Sequence, residues 1–257
     1  STDAHYYDVT DGDKQYDMAL RMIESGDTVR EAEKKMKVRK NMKKKDEKYE
    51  AIYRDIENTF QGFFGTKVKL DAGSKKGKII IPSFAIERTQ ELIYHFHRLV
   101  DLKRIPKIPI YVDSPMATNA TSIFQVHPEC YDQETHEAFL KHHKNPFGFN
   151  ELTFTSSVAD SKAINDKPGP MVIISADGMC EAGRILHHLA NNISKSSTTI
   201  LLVGYMAEHT LGRRLYRGEK EVKIMGDWYN VRADIEQINA FSAHADYQET
   251  LQWLKEI

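Results

Sequence analysis

Residues 171–189 read MVIISADGMCEAGRILHHL, and this stretch decides the fold. Met171–Ser175 is a short, continuous apolar run, the pattern of a strand buried on both faces. Ala176-Asp177-Gly178-Met179 supplies turn residues, and Gly178 allows a sharp bend. The pattern from Glu181 to Asn192 then predicts a helix. The same unit recurs on either side. Lys78–Phe84 (KIIIPSF) leads into a helical pattern over Ala85–Leu99, and Ile108–Val112 (IPIYV) into a helix from about Met116. Leu152–Thr155 precedes a helix over Val158–Asn165, and Thr198–Val203 (TTILLV) precedes one over Thr210–Tyr216. Apolar strands alternating with helices predict an α/β fold, a parallel sheet with helices on both faces. Glu221–Ile224 and Val231–Asn239 alternate instead, which predicts a short antiparallel pair near the C-terminus. A last helix is expected from about Asp246 to Ile257.

Residues 77–257 are therefore expected to form the α/β domain, and residues 1–76 a helical, basic lead-in region. Asp13 can cap a first helix ending at Glu24, and Thr28-x-x-Glu31 has capping-box spacing for a second. Tyr49, Ile52, Tyr53, Ile56, Phe60 and Phe63 repeat at three and four residues, an amphipathic helix. Residues 34–45 read KKMKVRKNMKKK, eight of twelve basic and none acidic. Such a run either binds phosphate backbones or forms a solvated helix face.

The chain of 257 residues carries 36 Lys and Arg against 37 Asp and Glu, so the basic run sits on an otherwise acidic body. At this length a core needs neither disulfide nor metal to hold it. No uninterrupted apolar run exceeds four residues (Ile200–Val203), far short of a membrane span. The opening Ser1-Thr2-Asp3-Ala4-His5 lacks the basic-then-apolar layout of a secretion signal. Cys130 and Cys180 form no CxxC, which excludes a disulfide framework and a Cys-built zinc site. A reducing, cytoplasmic compartment is the expectation.

Open α/β sheets hold their ligands at the carboxyl ends of the strands. The polar signals gather there: Pro82-Ser83-Phe84, Asp113-Ser114-Pro115, Ser175 to Met179, and Gly204-Tyr205. With a helix starting near Met179–Glu181, its free N–H groups would make an anion pocket. Ser175 would donate to that anion, and Arg184 would reach it from one turn into the helix. A plain strand–helix turn is the alternative, and Asp177 would repel an anion if it pointed inward. His187 and His188 are adjacent on a helix and diverge by about 100°, so one should pack on the sheet and the other face solvent. His95 and His97 should likewise lie on different faces, and His142-His143 in a loop; none is expected to hold a metal. Ser242 is a good N-cap for the last helix. His244 at its start, with Asp246 two residues on, is either a surface cap or a general acid.

Five segments, in order, carry a resemblance. They are IPSFAIERTQEL (81–92), DSPMA (113–117), SADGMCEAGRILHHL (175–189), GYMAEHTLGRR (204–214) and FSAHAD (241–246). Together they resemble the β-CASP branch of the metallo-β-lactamase superfamily, RNA-processing nucleases such as ribonuclease J and the endonuclease of mRNA 3′-end cleavage. The resemblance covers residues 78–257.

It implies an α/β insert that caps a metallo-β-lactamase domain. In the family two zinc ions held by that other domain activate a water that attacks an RNA phosphodiester, with RNA in the cleft between the halves. His244 matches the family's proposed general acid. Ser175, Gly178 and Met179 match residues beside the RNA backbone, and Arg88 and Arg213 match arginines that face phosphate or brace the cleft. The family's His-x-His-x-Asp-His zinc motif is absent, as are its later His and bridging Asp ligands, so no metal ligand is assigned in this chain. The closing His-Gly-Glu segment would fall beyond Ile257, and Ser1-Thr2 matches the end of the family's Glu-Ser-Thr. His209 stands where the family usually has Gly, which predicts a differently shaped turn.

On this reading the chain is the RNA-cleft capping domain of a zinc-dependent RNA hydrolase, inactive alone. Its partners are RNA, the metallo-β-lactamase half of the same parent chain and, as a further option, a second copy in a homodimer; no membrane is involved. The alternative is a non-catalytic β-CASP subunit that binds RNA or a protein partner. An unrelated phosphate-binding domain ranks last, since no GxGxxG or GK(S/T) fingerprint is present.

Overall fold

The computed structural model describes residues 54–58, 77–139, 144–238, 241 and 247–255. The basic run, the expected caps at Asp13 and Thr28, most of the helix expected over 49–64, His142-His143 and the segment 242–246 lie outside the described residues. Of that expected helix, 54–58 is helical and Ile56 is fully buried. Glu57 there holds Arg104 through Nε at 2.6 Å and Nη2 at 2.9 Å. All described residues belong to one compact unit, Ile52–Ile257.

From residue 77 the order is β1 (Lys78–Pro82), α1 (Arg88–Asp101), β2 (Ile110–Asp113), α2 (Pro115–Val126), a 3₁₀ turn (Pro128–Cys130) and α3 (Gln133–Ala138). Then come β3 (Leu152–Phe154), α4 (Val158–Asp166), β4 (Met171–Ser175), α5 (Ile185–Asn192), β5 (Thr198–Leu202) and α6 (Leu211–Tyr216). The order closes with β6 (Glu221–Ile224), β7 (Asp227–Asn230), β8 (Asp234–Gln237) and α7 (Tyr247–Lys255). Six strands form one sheet in the order β3-β2-β4-β1-β5-β8, every pairing parallel.

Every residue of β1, β4 and β5 is buried. Successive side chains point to opposite faces of a sheet, so both faces are covered, as the unbroken apolar runs predict. Register fixes the layers. Ile80 lies level with Ile173 and Ile200, and all three join one core with Ile185, Leu189 and Ile193 from α5 and its end, and Leu211 and Leu215 from α6. The opposite face carries Ile79, Ile81, Val172, Ile174 and Leu201, all fully buried.

The expected antiparallel pair is present, but its second strand is not the one the alternation indicated. Glu221–Ile224 pairs with Asp227–Asn230. The turn between them, Met225-Gly226, has φ of 51° and 98°, the doubly left-handed geometry of a tight two-residue hairpin. The stretch expected as the partner, Val231–Asn239, instead supplies β8, which extends the parallel sheet beside β5 with Ile200 level with Ile235. Among the described residues no helix is long and apolar enough to cross a membrane. Cys130 is exposed and Cys180 buried, and neither forms a disulfide.

One buried cation closes the bottom of the sheet. Lys78, at the start of β1, donates from Nζ to the carbonyls of Ile164 (2.9 Å) and Asn165 (2.7 Å) at the end of α4. Burial, with Lys195 adding to it, lowers its pKa to about 8, against a smaller opposing pull from Asp166. An unfolded Lys keeps its proton to about pH 10.4. Between the two values the unfolded chain binds more protons, so stability tied to Lys78 rises with pH across that window. Urea unfolding at about pH 7.5 and pH 10 should show wild type gaining on the order of 2 kcal/mol over Lys78→Met. A difference that does not change with pH would contradict the burial of a titrating ammonium.

Candidate functional site

Parallel register brings three loops to one edge. Pro82 at the end of β1 lies level with Ser175 at the end of β4, and Ser175 with Asp113 at the end of β2. The Ser83 amide donates to the Ser175 carbonyl at 3.0 Å. Thr89 Oγ1 donates to the Phe84 carbonyl at 2.7 Å and lies 3.1 Å from Ser83 Oγ, fixing the bend into α1. A groove of about 140 Å³ opens among the loops that follow β1, β4 and β5. Pro82, Ser83, Phe84 and Arg88 line it from β1 and α1, Gly178 and Met179 from the β4 loop, and Val203, Gly204, Tyr205 and Met206 from the β5 loop. Three of the four polar clusters legible at the strand ends thus converge, the Ser175–Met179 cluster through Gly178 and Met179, and Arg88 joins them.

The 176–184 loop corrects the expected anion pocket. Helix α5 begins at Ile185, not near Met179–Glu181. The carboxylate of Asp177 turns into the loop and accepts the amides of Met179 (2.6 Å), Glu181 (2.9 Å) and Ala182 (3.0 Å). An internal anion already occupies the donors an external one would need. Gly183 holds φ at 80°, and a Cβ there would sit 2.4 Å from the Ala176 carbonyl oxygen, so the loop closes only around glycine. Outward, the Glu181 carboxylate accepts the Leu211 amide at the start of α6, and the Met179 carbonyl accepts that of Gly212 at 3.0 Å.

Ser175 and Arg184 face away from the groove, into a polar knot around Asp113. Ser175 is buried and its Oγ donates to the Asp113 carbonyl at 2.9 Å. Arg184 reaches Asp113 Oδ1 (2.7 Å) and the carbonyls of Thr155 (3.3 Å) and Ser156 (2.6 Å). Asp113 also accepts from Thr155 Oγ1 (2.7 Å) and Ser161 Oγ (2.6 Å), and His188 Nε2 lies 2.7 Å from its Oδ2. Burial opposes the charge on this carboxyl. The hydrogen bonds from His188, Ser161, Thr155 and Arg184 outweigh it and hold the group far below the usual carboxylate range. The knot ties β2, the end of β3, α4 and α5 together. Asp113-Ser114-Pro115 is legible in the sequence as a strand-end signal, whereas the role of Asp113 as a hub emerges from its partners. The available signal was a lone acid closing an otherwise apolar strand, which must find donors if buried.

Arg88 pairs with Glu91 at 2.6 Å and lies over the Phe241 ring at 5.2 Å. Arg213 does not line the groove; it pairs with Glu208 at 2.9 Å and lies over Tyr216. His187 is exposed and His188 fully buried, as their spacing predicts. His95 and His97 lie on different faces, as their spacing predicts, His95 against Tyr94 and Phe241 and His97 against Phe139 and Phe149, but both faces are buried. Burial lowers the pKa of His97, whose Nδ1 lies 3.0 Å from the Pro146 carbonyl. His209 adopts φ of 68°, the left-handed conformation a glycine takes readily, so the turn keeps a glycine's backbone despite the side chain. His244 and Ser242 lie outside the described residues. Their described neighbour Phe241 is buried against Arg88 and His95.

Two family models match in succession: the Beta-Casp domain over residues 89–215, and the Zn-dependent metallo-hydrolase RNA specificity domain over residues 228–257. The chain belongs to the β-CASP branch of the metallo-β-lactamase superfamily. Its relatives agree. Ribonuclease TTHA0252 of Thermus thermophilus is 38% identical over 186 residues, 71% of this chain and 42% of the relative. The RNase J-like protein of Methanocaldococcus jannaschii is 31% identical over 181 residues, 70% of this chain and 40% of that protein. Transcription termination factor FttA of Methanothermobacter thermautotrophicus is 30% identical over 186 residues, 70% of this chain and 29% of that protein. The match spans less than half the length of each of these relatives.

This β-CASP chain does not offer the zinc that its second family model implies a site in its described residues. No group of three or more His, Cys, Asp or Glu converges among them. The buried acid–histidine pair, Asp113 with His188, is saturated by Ser161, Thr155, Arg184 and Asn165.

Proposed function

We propose that this chain is the RNA-cleft half of a zinc-dependent hydrolase that cuts phosphodiester bonds in RNA. One observation carries the reading. Gly178 and Met179, matched to residues beside the RNA backbone, share a groove with Arg88 at the carboxyl ends of β1, β4 and β5. Relatives named as ribonucleases support RNA as the substrate. The zinc ions, two on the family pattern, would be held by residues outside this chain, in a metallo-β-lactamase half of the same parent protein.

Within the chain, the roles divide by geometry. Gly178, Met179 and Arg88 border the RNA path. Ser175 and Arg184 hold the floor by tying the β4 loop to Asp113, and Arg213 braces α6 through Glu208. His244 is proposed as the acid that protonates the leaving oxygen. The proposed compartment is the cytoplasm, in keeping with two cysteines that form no disulfide. The test compares two preparations: this chain alone, and the same chain within its parent sequence. RNA cleavage and stoichiometric zinc are expected only in the second. Tight RNA binding without cleavage in the second would favour the non-catalytic alternative.

A further inference from the structure

The groove is unlike a bare phosphate track. Its floor, from Pro82, Val203 and Met206, is apolar. Two aromatic side chains of its lining remain half in solvent: Phe84 is 49% exposed and Tyr205 58%. Arg88 is the one cationic residue among the lining residues, and no carboxylate is among them. Its volume, about 140 Å³, suits a single planar heterocycle rather than a duplex or a folded peptide. The loop backbone presets the Phe84 side of the groove. Thr89 anchors the Phe84 carbonyl, and Gly178 lets Phe84 lie close, since a Cβ at 178 would sit 3.1 Å from both the Phe84 amide nitrogen and its ring.

We propose that this groove is a nucleobase subsite: Phe84 and Tyr205 stack one unpaired base of the RNA while Arg88 faces the adjoining phosphate. The proposal rests on the RNA reading above and specifies what that reading leaves open, the contact made to the base. Aromatic faces accept any base, because every base presents a π-face, so the subsite selects single-stranded RNA without reading sequence. Arg88 uses one nitrogen on Glu91, and a guanidinium carries five N–H donors, so donors remain for a phosphate oxygen. Burying the two rings under a base also removes apolar area from water, which a phosphate contact alone does not do.

The test measures binding of the 257-residue chain to two labelled strands of equal length and charge, oligouridylate and an abasic ribose-phosphate strand. Wild type should bind oligouridylate on the order of 10-fold tighter. Tyr205→Ala and Phe84→Ala should each abolish most of that preference, Tyr205→Phe should retain it, and the salt slope should stay unchanged because no phosphate contact is lost. Both side chains are half-exposed, so circular dichroism and melting temperature should match wild type in every variant. Equal affinity of wild type for the two strands overturns the subsite, as does full preference in Tyr205→Ala, while the RNA reading stands. Binding of neither strand overturns both.

Discussion

Replacing Asp113 with Asn should cost the fold about 3–5 kcal/mol, the scale of breaking a buried ion pair from one side. The carboxylate is fully buried and takes Thr155 and Arg184 on one oxygen and Ser161 and His188 on the other. An amide keeps one acceptor oxygen and turns an NH₂ toward groups that are themselves donors. Arg184 then loses the charge it neutralises. Against a total stability of roughly 5–15 kcal/mol, this loss takes a large share. Urea unfolding of wild type and Asp113→Asn at neutral pH measures it, and a difference under about 1 kcal/mol would contradict the knot. The gap should also close in acid. Because the native carboxyl titrates far below its unfolded value of about 3.9, its contribution is full above that pH and fades as pH falls below it.

The second large effect concerns catalysis. In the parent protein, His244→Ala should lower kcat on RNA by about 10²–10⁴, the usual contribution of a positioned general acid. The loss should shrink for an RNA analogue whose leaving group needs no proton, because the missing step is protonation and not binding. RNA affinity should change little. A wild-type rate in His244→Ala would remove the acid role from this residue. A uniform loss on both substrates would make His244 a positioning residue instead.

The fold was legible where burial is complete. Met171–Ser175, Lys78–Pro82 and Thr198–Leu202 are buried from end to end because both faces of a parallel sheet are covered, and their unbroken apolar centres carry that pattern openly in the sequence. The edges were less so. Asp234–Gln237 alternates because it lies at the sheet margin, with exposed and half-buried positions in turn, and alternation alone does not separate a parallel edge from a hairpin arm. Asp227–Asn230 is mostly exposed and its two aromatic residues, Trp228 and Tyr229, are adjacent, so it shows no apolar–polar alternation, and the Met225-Gly226 turn is its clearest mark in the sequence.

The site followed the same logic. Strand-end positions predicted the groove, since topology alone puts those loops together. What sequence did not convey was the direction of two charges. Asp177 turns inward and satisfies three amides, and Arg184 turns toward Asp113, because each finds an intramolecular partner before any ligand can. His95 stayed hidden for a different reason: α1 is buried around most of its girth, so a spacing of two does not decide between core and solvent.

The most direct measurement is zinc content and RNA cleavage side by side, for this chain alone and for the chain joined to its parent sequence. The account predicts that the isolated chain folds, carries no stoichiometric zinc and leaves RNA intact, and that the joined protein gains metal and activity together. Stoichiometric zinc with RNA cleavage in the isolated 257 residues would contradict it.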